Sequence, residues 1–269
     1  MKKNRLIPIL LLRDGWLVQS KEFKRYQNLG NPITSVKRFS EWASDELIYL
    51  NISKTERHDL RRDDQGYPNR SSFKEIIKDV SKVTFMPITV GGRIRTKEDI
   101  REYLTLGADK VSINTKALED KEFISLAAKE FGSQCIVISM DVKVVDGQYA
   151  VMSKGGTERT QYQPEEWAKI VETQGAGEIL LNSINRDGQQ TGFDIELIKK
   201  VSASVKIPVI ACGGAGEWSH FAEVFRKTKA DAVAAANIFQ YIDQSVYLAK
   251  KYLYDNGYNV RPPDLLINI

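Results

Sequence analysis

Short apolar runs alternate with amphipathic stretches along almost the whole chain. The apolar runs are RLIPILLL (5–12), ELIYLNI (46–52), MPITV (86–90), KVSIN (110–114), CIVISMDV (135–142), EILLNS (178–183), IPVIAC (207–212) and DAVAAA (231–236). They are near-continuous, as parallel strands covered on both faces should be. Between them helical patterns fall at 32–43, 71–82, 96–106, 119–131, 164–174, 193–204, 217–227 and 243–255. Asn31-Pro32 places proline at a first helical turn. Pro164 is followed by Glu165 and Glu166, acidic residues that favour the positive end of a helix dipole. Eight strand–helix pairs in unbroken alternation predict an α/β fold, a parallel (β/α)8 barrel, for which about 250 residues is typical. A doubly wound open sheet is the competing arrangement.

An internal repeat favours the barrel. ELIYLNIS (46–53) matches EILLNSIN (178–185) at an offset of 132, MPITVGGRI (86–94) matches IPVIACGGA (207–215) at 121, and LGADKVSINT (106–115) matches TKADAVAAAN (228–237) at 122. Each half carries the same landmarks in order: a strand then Asp-Gly, a Glu-Ile/Leu strand, a Pro strand then Gly-Gly, and an Ala-Asp strand. The prediction is one domain, residues 1–269, a TIM barrel with an internal half-barrel duplication, its halves covering about 1–130 and 131–269.

Composition narrows the partners. The chain of 269 residues is 42% hydrophobic and 28% charged, an ordinary globular balance. No apolar run approaches the roughly 20 residues that span a bilayer, and the basic start lacks a signal-peptide pattern. A net charge of +4 gives no reason to expect a nucleic-acid partner. Cys135 and Cys212 both lie in apolar runs, so buried free thiols and a reducing cytoplasm are expected. His58 and His220 stand apart from other ligand types at zinc spacing, so no metal is expected. The glycines do not form a dinucleotide fingerprint, and no cofactor is expected.

The functional face of such a barrel is the C-terminal end of its strands. Gly91-Gly92 follows the third strand and Gly213-Gly214 the seventh, where bare backbone can approach an anion closely. Asn114-Thr115 and Ala236-Asn237, after strands four and eight, are neighbouring candidate donors, and Gly188, after strand six, is a further candidate phosphate contact. Two such sites in register suit a substrate with two phosphates; tight turns without a ligand are the plain alternative. Asp141 ends strand five, and Asp187-Gly188 follows strand six. Both are placed for acid–base work, against the alternative of solvated loop carboxylates. At the opposite end Arg5, Glu46, Lys110 and Glu178 each begin a buried strand, two of each sign. They suggest a salt-bridged ring across the barrel floor, or else ordinary strand-end charges.

The segments VGGRI (90–94), GADKVSINT (107–115), FGSQCIVISMDVK (131–143), GAGEILLNSINRDG (175–188), IPVIACGGAG (207–216) and YNVR (258–261) resemble the cyclase subunit of imidazole glycerol phosphate synthase, the HisF family, nearly end to end. The related pathway isomerase shares the half-barrel repeat but lacks the GAGEILL…RDG run. The resemblance implies a partnership with a class I, HisH-like glutaminase that releases ammonia at the barrel floor. Ammonia passes a gate, here Arg5, Glu46, Lys110 and Glu178. It then reacts at the mouth with a bis-phosphorylated ribulosyl intermediate. Of the two strand-end aspartates that carry the family's acid–base steps, Asp141 is retained and the strand-one aspartate is Leu11. Other departures sit on the same face. Ile9-Leu10-Leu11 stands for the family's Cys-Leu-Asp. Gln19 stands for a loop lysine, Asn51 for an aspartate, Arg93 for a third glycine and Cys212 for a serine. The charged loop 53–72 is extended.

Leucine neither gives nor takes a proton, and loss of a positioned acid or base costs about 100- to 10,000-fold. Weak imidazole glycerol phosphate formation is therefore expected. The leading expectation is a subunit that channels ammonia to another acceptor, through a sugar amidotransferase of a surface-polysaccharide cluster, with loop 53–72 a candidate docking site or a solvated charge run. The alternative is a histidine-pathway cyclase with a relocated acid or base, Asp14 or Asp187. A third reading is a non-catalytic activator of the glutaminase.

Overall fold

A computed structural model describes residues 3–55, 57–60, 69–241 and 243–264. Eight parallel strands close on themselves: β1 (Arg5–Arg13), β4 (Leu47–Asn51), β5 (Ile88–Gly91), β6 (Lys110–Ile113), β7 (Ile136–Val145), β10 (Glu178–Ser183), β11 (Val209–Cys212) and β12 (Ala232–Ala235). Each pairs with the next, and β12 returns to β1, so the cylinder has no edge. This is the expected (β/α)8 barrel; the open sheet is excluded by the β12–β1 and β7–β10 ladders.

The remaining strands form two excursions that the apolar pattern did not announce. β2 (Trp16–Lys21) and β3 (Arg25–Gly30) extend β1 as antiparallel ribbons, and β8 (Gln148–Ser153) with β9 (Glu158–Arg159) extend β7 in the same way. Each follows the Asp-Gly landmark of its half. Asp14 and Gly15 have φ of 51° and 89°, Asp146 and Gly147 of 51° and 75°, as a two-residue hairpin turn requires.

The helices are α1 (Thr34–Glu41), α2 (Phe73–Val83), α3 (Lys97–Thr105), α4 (Thr115–Glu119), α5 (Glu122–Phe131), α6 (Pro164–Thr173), α7 (Ile195–Ser204), α8 (Trp218–Lys227), α9 (Ile238–Tyr241) and α10 (Ser245–Asp255). Their starts have local causes. Ser72 caps α2, Thr96 and Asp99 form a reciprocal capping box on α3, Pro164 opens α6, and Asp194 caps α7. The helix expected at 119–131 starts only at Glu122, behind the single turn α4. Cys135, expected in a strand, sits in a 3-10 turn before β7.

Two apolar layers explain why the strands read as continuous runs. Leu6, Leu10, Leu12, Leu47 and Tyr49 point outward and pack under the helices. Ile7, Ile9, Ile48, Val137, Leu180, Ile210, Ala232 and Ala234 point inward and fill the cylinder. Alternate strand positions face opposite sides, so both sets are apolar here. The same period sends Arg5, Lys110 and Glu178 to the floor, and Leu11, Asp141, Asn182 and Cys212 to the mouth.

Candidate functional site

The four floor charges meet in one ring. Arg5 Nη1 lies 2.5 Å from Glu46 Oε1, and Arg5 Nη2 also bonds Glu178. Lys110 Nζ lies 2.9 Å from Glu46 Oε2 and 3.1 Å from Glu178 Oε2. Each carboxylate thus bridges both cations. Burial alone would lower the Arg5 pKa; the Glu178 and Glu46 carboxylates outweigh it and raise it. Behind the ring Asp45, beside Glu46, accepts from Leu6 N (2.8 Å), Lys250 Nζ (2.8 Å) and Arg261 Nε (2.7 Å). Lys250 is fully buried. This cluster ties α10 and the C-terminal YNVR segment to the floor, which gives that motif a packing reason.

At the other end a cavity of about 1110 Å³ opens at the strand termini and descends to Ser112, Ser139 and Leu180 inside the barrel. Asp141 faces into it from β7 and accepts from Asn114 Nδ2 at 2.7 Å. Burial, and then the nearby charge of Asp187, push its pKa up to about 7, against hydrogen bonds from Asn114 and Asn182. Leu11 occupies the corresponding place on β1 and, like Leu50, Cys212 and Ala236, packs against the interior hydrocarbon. Cys212 beside it has its thiol pKa raised by burial and by the two aspartates, so it is an inert neutral group at the mouth.

Asp187 also lines the cavity, whereas Asp14 does not. Of the two relocated candidates, then, the structure brings only Asp187 to Asp141. Asp187 accepts from Ser20 Oγ (2.7 Å) and Phe23 N (3.3 Å) of the β2–β3 hairpin, while its own carbonyl accepts from Glu22 N (3.0 Å). Burial raises its pKa and these hydrogen bonds oppose the rise. Gly188 lets the hairpin rest on this loop, since a Cβ there would lie 2.4 Å from Ser20 O. Gln19 bonds Gln27 across the hairpin at 2.6 Å, away from the cavity.

Of the candidate anion positions, Gly92, Asn114, Thr115, Gly188, Gly213, Gly214, Ala236 and Asn237 line the cavity. Gly91 does not. It is buried at the end of β5, and a Cβ there would meet Leu50 and Ser112 within 2.8 Å, so it is a packing glycine. Asn237 Nδ2 donates to Ser20 O (2.9 Å), and Thr115 Oγ1 accepts from Lys154 N (3.1 Å). The rim carries cations the motifs did not single out: Arg13, Lys54, Arg95, Lys116 and Lys154, joined by Arg93. Arg93 holds a φ of 62°, left-handed backbone where glycine would be at ease, and donates to Lys54 O at 3.1 Å. The cationic rim suits an anionic substrate.

His58 Nδ1 sits 3.0 Å from Arg70 O, and His220 accepts from Gly216 N and Glu217 N at the start of α8. Among the described residues no group of three or more His, Cys, Asp or Glu could hold a metal ion, and no helix is long and apolar enough to cross a membrane. Of loop 53–72, residues 56 and 61–68 lie outside the described residues. Asn182, next to Asp141 in the β10–β7 register, was not foreseen as a site residue.

Residues 5–244 match the model of a family described as "Histidine biosynthesis protein". The chain is 43% identical over 261 residues to an "Imidazole glycerol phosphate synthase subunit HisF" of Saccharolobus solfataricus, covering 97% of this chain and 100% of that protein. It is 43% identical to the protein of that name from Chlorobaculum parvum and 40% to that from Geobacillus thermodenitrificans, with the same coverage. The chain belongs to the histidine biosynthesis protein family and, within it, to the HisF family.

Proposed function

We propose that this chain is the synthase subunit of a glutamine-dependent complex. It receives ammonia at the barrel floor from a HisH-like glutaminase and uses it at the mouth on a phosphorylated small molecule. The names of its relatives support imidazole glycerol phosphate synthesis, a lyase reaction, as the activity. The observation that carries the reading is Asp141. It is a buried carboxyl with a pKa near 7, at the top of a hydrocarbon-lined cylinder whose floor is the four-charge ring.

Each part has a chemical role. An ammonium ion would lose its hydration among Ile7, Ile48 and Leu180, which is very costly; neutral ammonia is not so penalised. The ring therefore passes the neutral form when a side chain swings aside. At the mouth the attacking amine must lose a proton and the departing oxygen must gain one. A carboxyl that titrates near neutrality serves either step. Asp141 takes one role, and Asp187 supplies the second carboxyl that Leu11 does not. The cationic rim and strand-end glycines hold the phosphates.

A second reading is favoured by one residue. Leu11 puts hydrocarbon where the resemblance expects an aspartate, so ammonia would go to another acceptor, through a sugar amidotransferase. The comparisons lend that reading no support, and the cyclase is the better-supported activity. One assay separates them: the purified chain with an ammonium salt and the bis-phosphorylated ribulosyl intermediate. Turnover close to that of an ordinary HisF subunit supports the cyclase with a relocated carboxyl. Turnover lower by about 100-fold or more rejects it. Stimulation of the glutaminase without product from any acceptor would leave only a scaffold role.

A further inference from the structure

The two glycine turns at the mouth, Gly92 after β5 and Gly214 after β11, lie half a turn apart around the cylinder. Their surroundings differ in charge. On the Gly92 side Lys54 after β4, Arg93 and Arg95 after β5, and Lys116 after β6 all line the cavity. Arg95 and Lys116 also meet carboxylates, Glu119 at 2.8 Å and Asp120 at 2.9 Å. Asp99 lines this side too, but it accepts from Arg95 N and Thr96 N and so serves the start of α3.

Across the mouth the pattern reverses. Among the described residues, no lysine or arginine of β10, β11, β12 or the loops after them lines the cavity, whereas Asp187 does. Arg186, its neighbour in sequence, is not a lining residue and donates to Thr191 Oγ1 at 3.2 Å. Lys24, at the tip of the β2–β3 hairpin, has the Glu22 carboxylate 3.7 Å away. The Cys212 thiol beside Gly213 is pushed up by burial first and then by Asp187 and Asp141, so both carboxylates act at this end. A phosphate dianion would therefore meet cations at one turn and like charge at the other.

Arg93 sharpens the contrast. It holds left-handed backbone, which glycine adopts freely and arginine does not. Strain of this kind persists only where the surrounding structure holds it, and it gathers at ligand sites. Here it carries the side chain across to the β4 loop, where Nη1 donates to Lys54 O at 3.1 Å. A guanidinium offers a planar fork of donors that matches phosphate oxygens.

We propose that the mouth is directional: the Gly92 turn, with Arg93 and Lys54, is the primary site for a phosphate dianion, and the Gly214 turn is a weaker, secondary one. The proposal rests on the reading that the mouth takes a phosphorylated small molecule, and it makes Arg93 the specificity-determining residue. A single phosphate is then enough to dock a substrate, in one orientation, with its other end toward Asp187.

The sequence provides its own reporters. Its Gly-Gly pairs are 91–92, 155–156 and 213–214. In the full chain grown with glycine carrying 13C at the carbonyl and 15N at the amide, a carbonyl-to-amide correlation NMR spectrum shows only the N–H groups of Gly92, Gly156 and Gly214. Gly156 N donates to Ser153 O at 3.1 Å in its hairpin and serves as the reference. Gly155→Ala removes that signal, and Arg93→Asn, adjacent to Gly92, identifies the second. Sodium phosphate is titrated at about pH 8, where it is a dianion, against sodium chloride at equal ionic strength. The Gly92 signal should reach half-saturation at a concentration at least about tenfold below that for Gly214, the worth of one charge-assisted hydrogen bond. In Arg93→Asn the Gly92 value should rise about tenfold while that of Gly214 stays, and Arg93→Lys should recover part of the loss. Asparagine tolerates left-handed backbone, and unchanged far-UV circular dichroism establishes that each variant is folded. Equal half-saturation at the two turns, or tighter binding at Gly214, overturns the proposal and leaves the phosphate reading of the mouth standing. So does an Arg93→Asn titration that superimposes on that of the unsubstituted chain. If neither turn responds beyond the chloride control, the phosphate reading falls and the proposal with it.

Discussion

Replacing Asp141 by asparagine should make the protein more stable at neutral pH, and by an amount that depends on pH in a defined way. The carboxyl is buried at the cavity that Ile9, Leu11 and Leu180 also line, and its pKa rises from 3.8 to about 7. Between these values the unfolded chain has released the proton while the folded chain keeps it. Stability therefore falls as pH rises from about 4 to about 7, and the penalty is complete above 7. At about 1.36 kcal/mol for each tenfold in proton affinity, the ceiling is about 4 kcal/mol. Water entering the open mouth reduces it, so about 2–4 kcal/mol is expected. Asparagine fills the same volume, keeps an oxygen for Asn114 Nδ2 and carries no charge to desolvate. Thermal unfolding followed by circular dichroism should show little difference at pH 4 and a gain of about 4–8 °C at pH 8 for a chain of this size. Activity should be lost in the same variant. A gain independent of pH, or a loss of stability at pH 8, would refute the account of Asp141 as a carboxyl held protonated by burial.

Other expectations follow from single contacts. In the proposed complex with a HisH-like glutaminase, Lys110→Ala or Glu46→Ala should lower the product formed per glutamine consumed, because the ring at the floor is broken; an unchanged ratio would remove the gate assignment. Asp45→Ala leaves Lys250 fully buried without its carboxylate and should destabilise by about 3–5 kcal/mol in urea titrations. A loss under about 1 kcal/mol would mean that water and the carbonyl of Ala43, to which Lys250 Nζ also donates, suffice. Gly92 and Gly147 both have positive φ, but a Cβ at Gly92 would lie 2.0 Å from Asn51 O while one at Gly147 meets nothing within 4 Å. Gly92→Ala should therefore be clearly worse than Gly147→Ala, which pays only the conformational term of about 1 kcal/mol; equal midpoints would contradict this geometry.

The barrel was legible because both faces of its strands are covered, so β1, β7 and β10 appear as unbroken apolar runs. The two hairpins were not read, although each begins with Asp-Gly, a strong short-range hairpin signal. WLVQSK and QYAVMS are no less apolar than the EILLNS strand, so the unused signal was the turn: in the reading of the repeat Asp-Gly served only as a landmark. Within the site, Asn182 was readable in principle. It is four residues beyond Glu178 on one strand, so a carboxylate facing the floor implies an amide facing the mouth. The contact of Ser20 with Asp187 was not readable, because it joins residues 167 apart through a hairpin that folds back over the mouth. Asp187 lines the cavity with Asp141, whereas Asp14 does not.

That contact bears on how far Asp187 can stand in for the missing strand-one carboxylate. Leu11 extends the hydrocarbon lining up to Leu50, Cys212 and Ala236. On the proposed route this lining suits neutral ammonia, and it offers no proton site at position 11. Asp187 is close enough for its charge to raise the Asp141 pKa, but one of its oxygens already accepts from Ser20 and Phe23. Those bonds favour its ionised form, while burial favours the neutral one. To give or take a proton during the reaction it must use the oxygen the hairpin leaves, or the hairpin must release it. If this chain cyclises through Asp187 as proposed, that step is tied to the β2–β3 hairpin in a way that a carboxylate at position 11 would not be. Ser20→Ala distinguishes the cases: if Asp187 acts as the second acid–base group, losing that hydrogen bond shifts the pH profile of turnover toward higher pH, and if Asp187 only anchors the hairpin, the profile stays where Asp141 sets it.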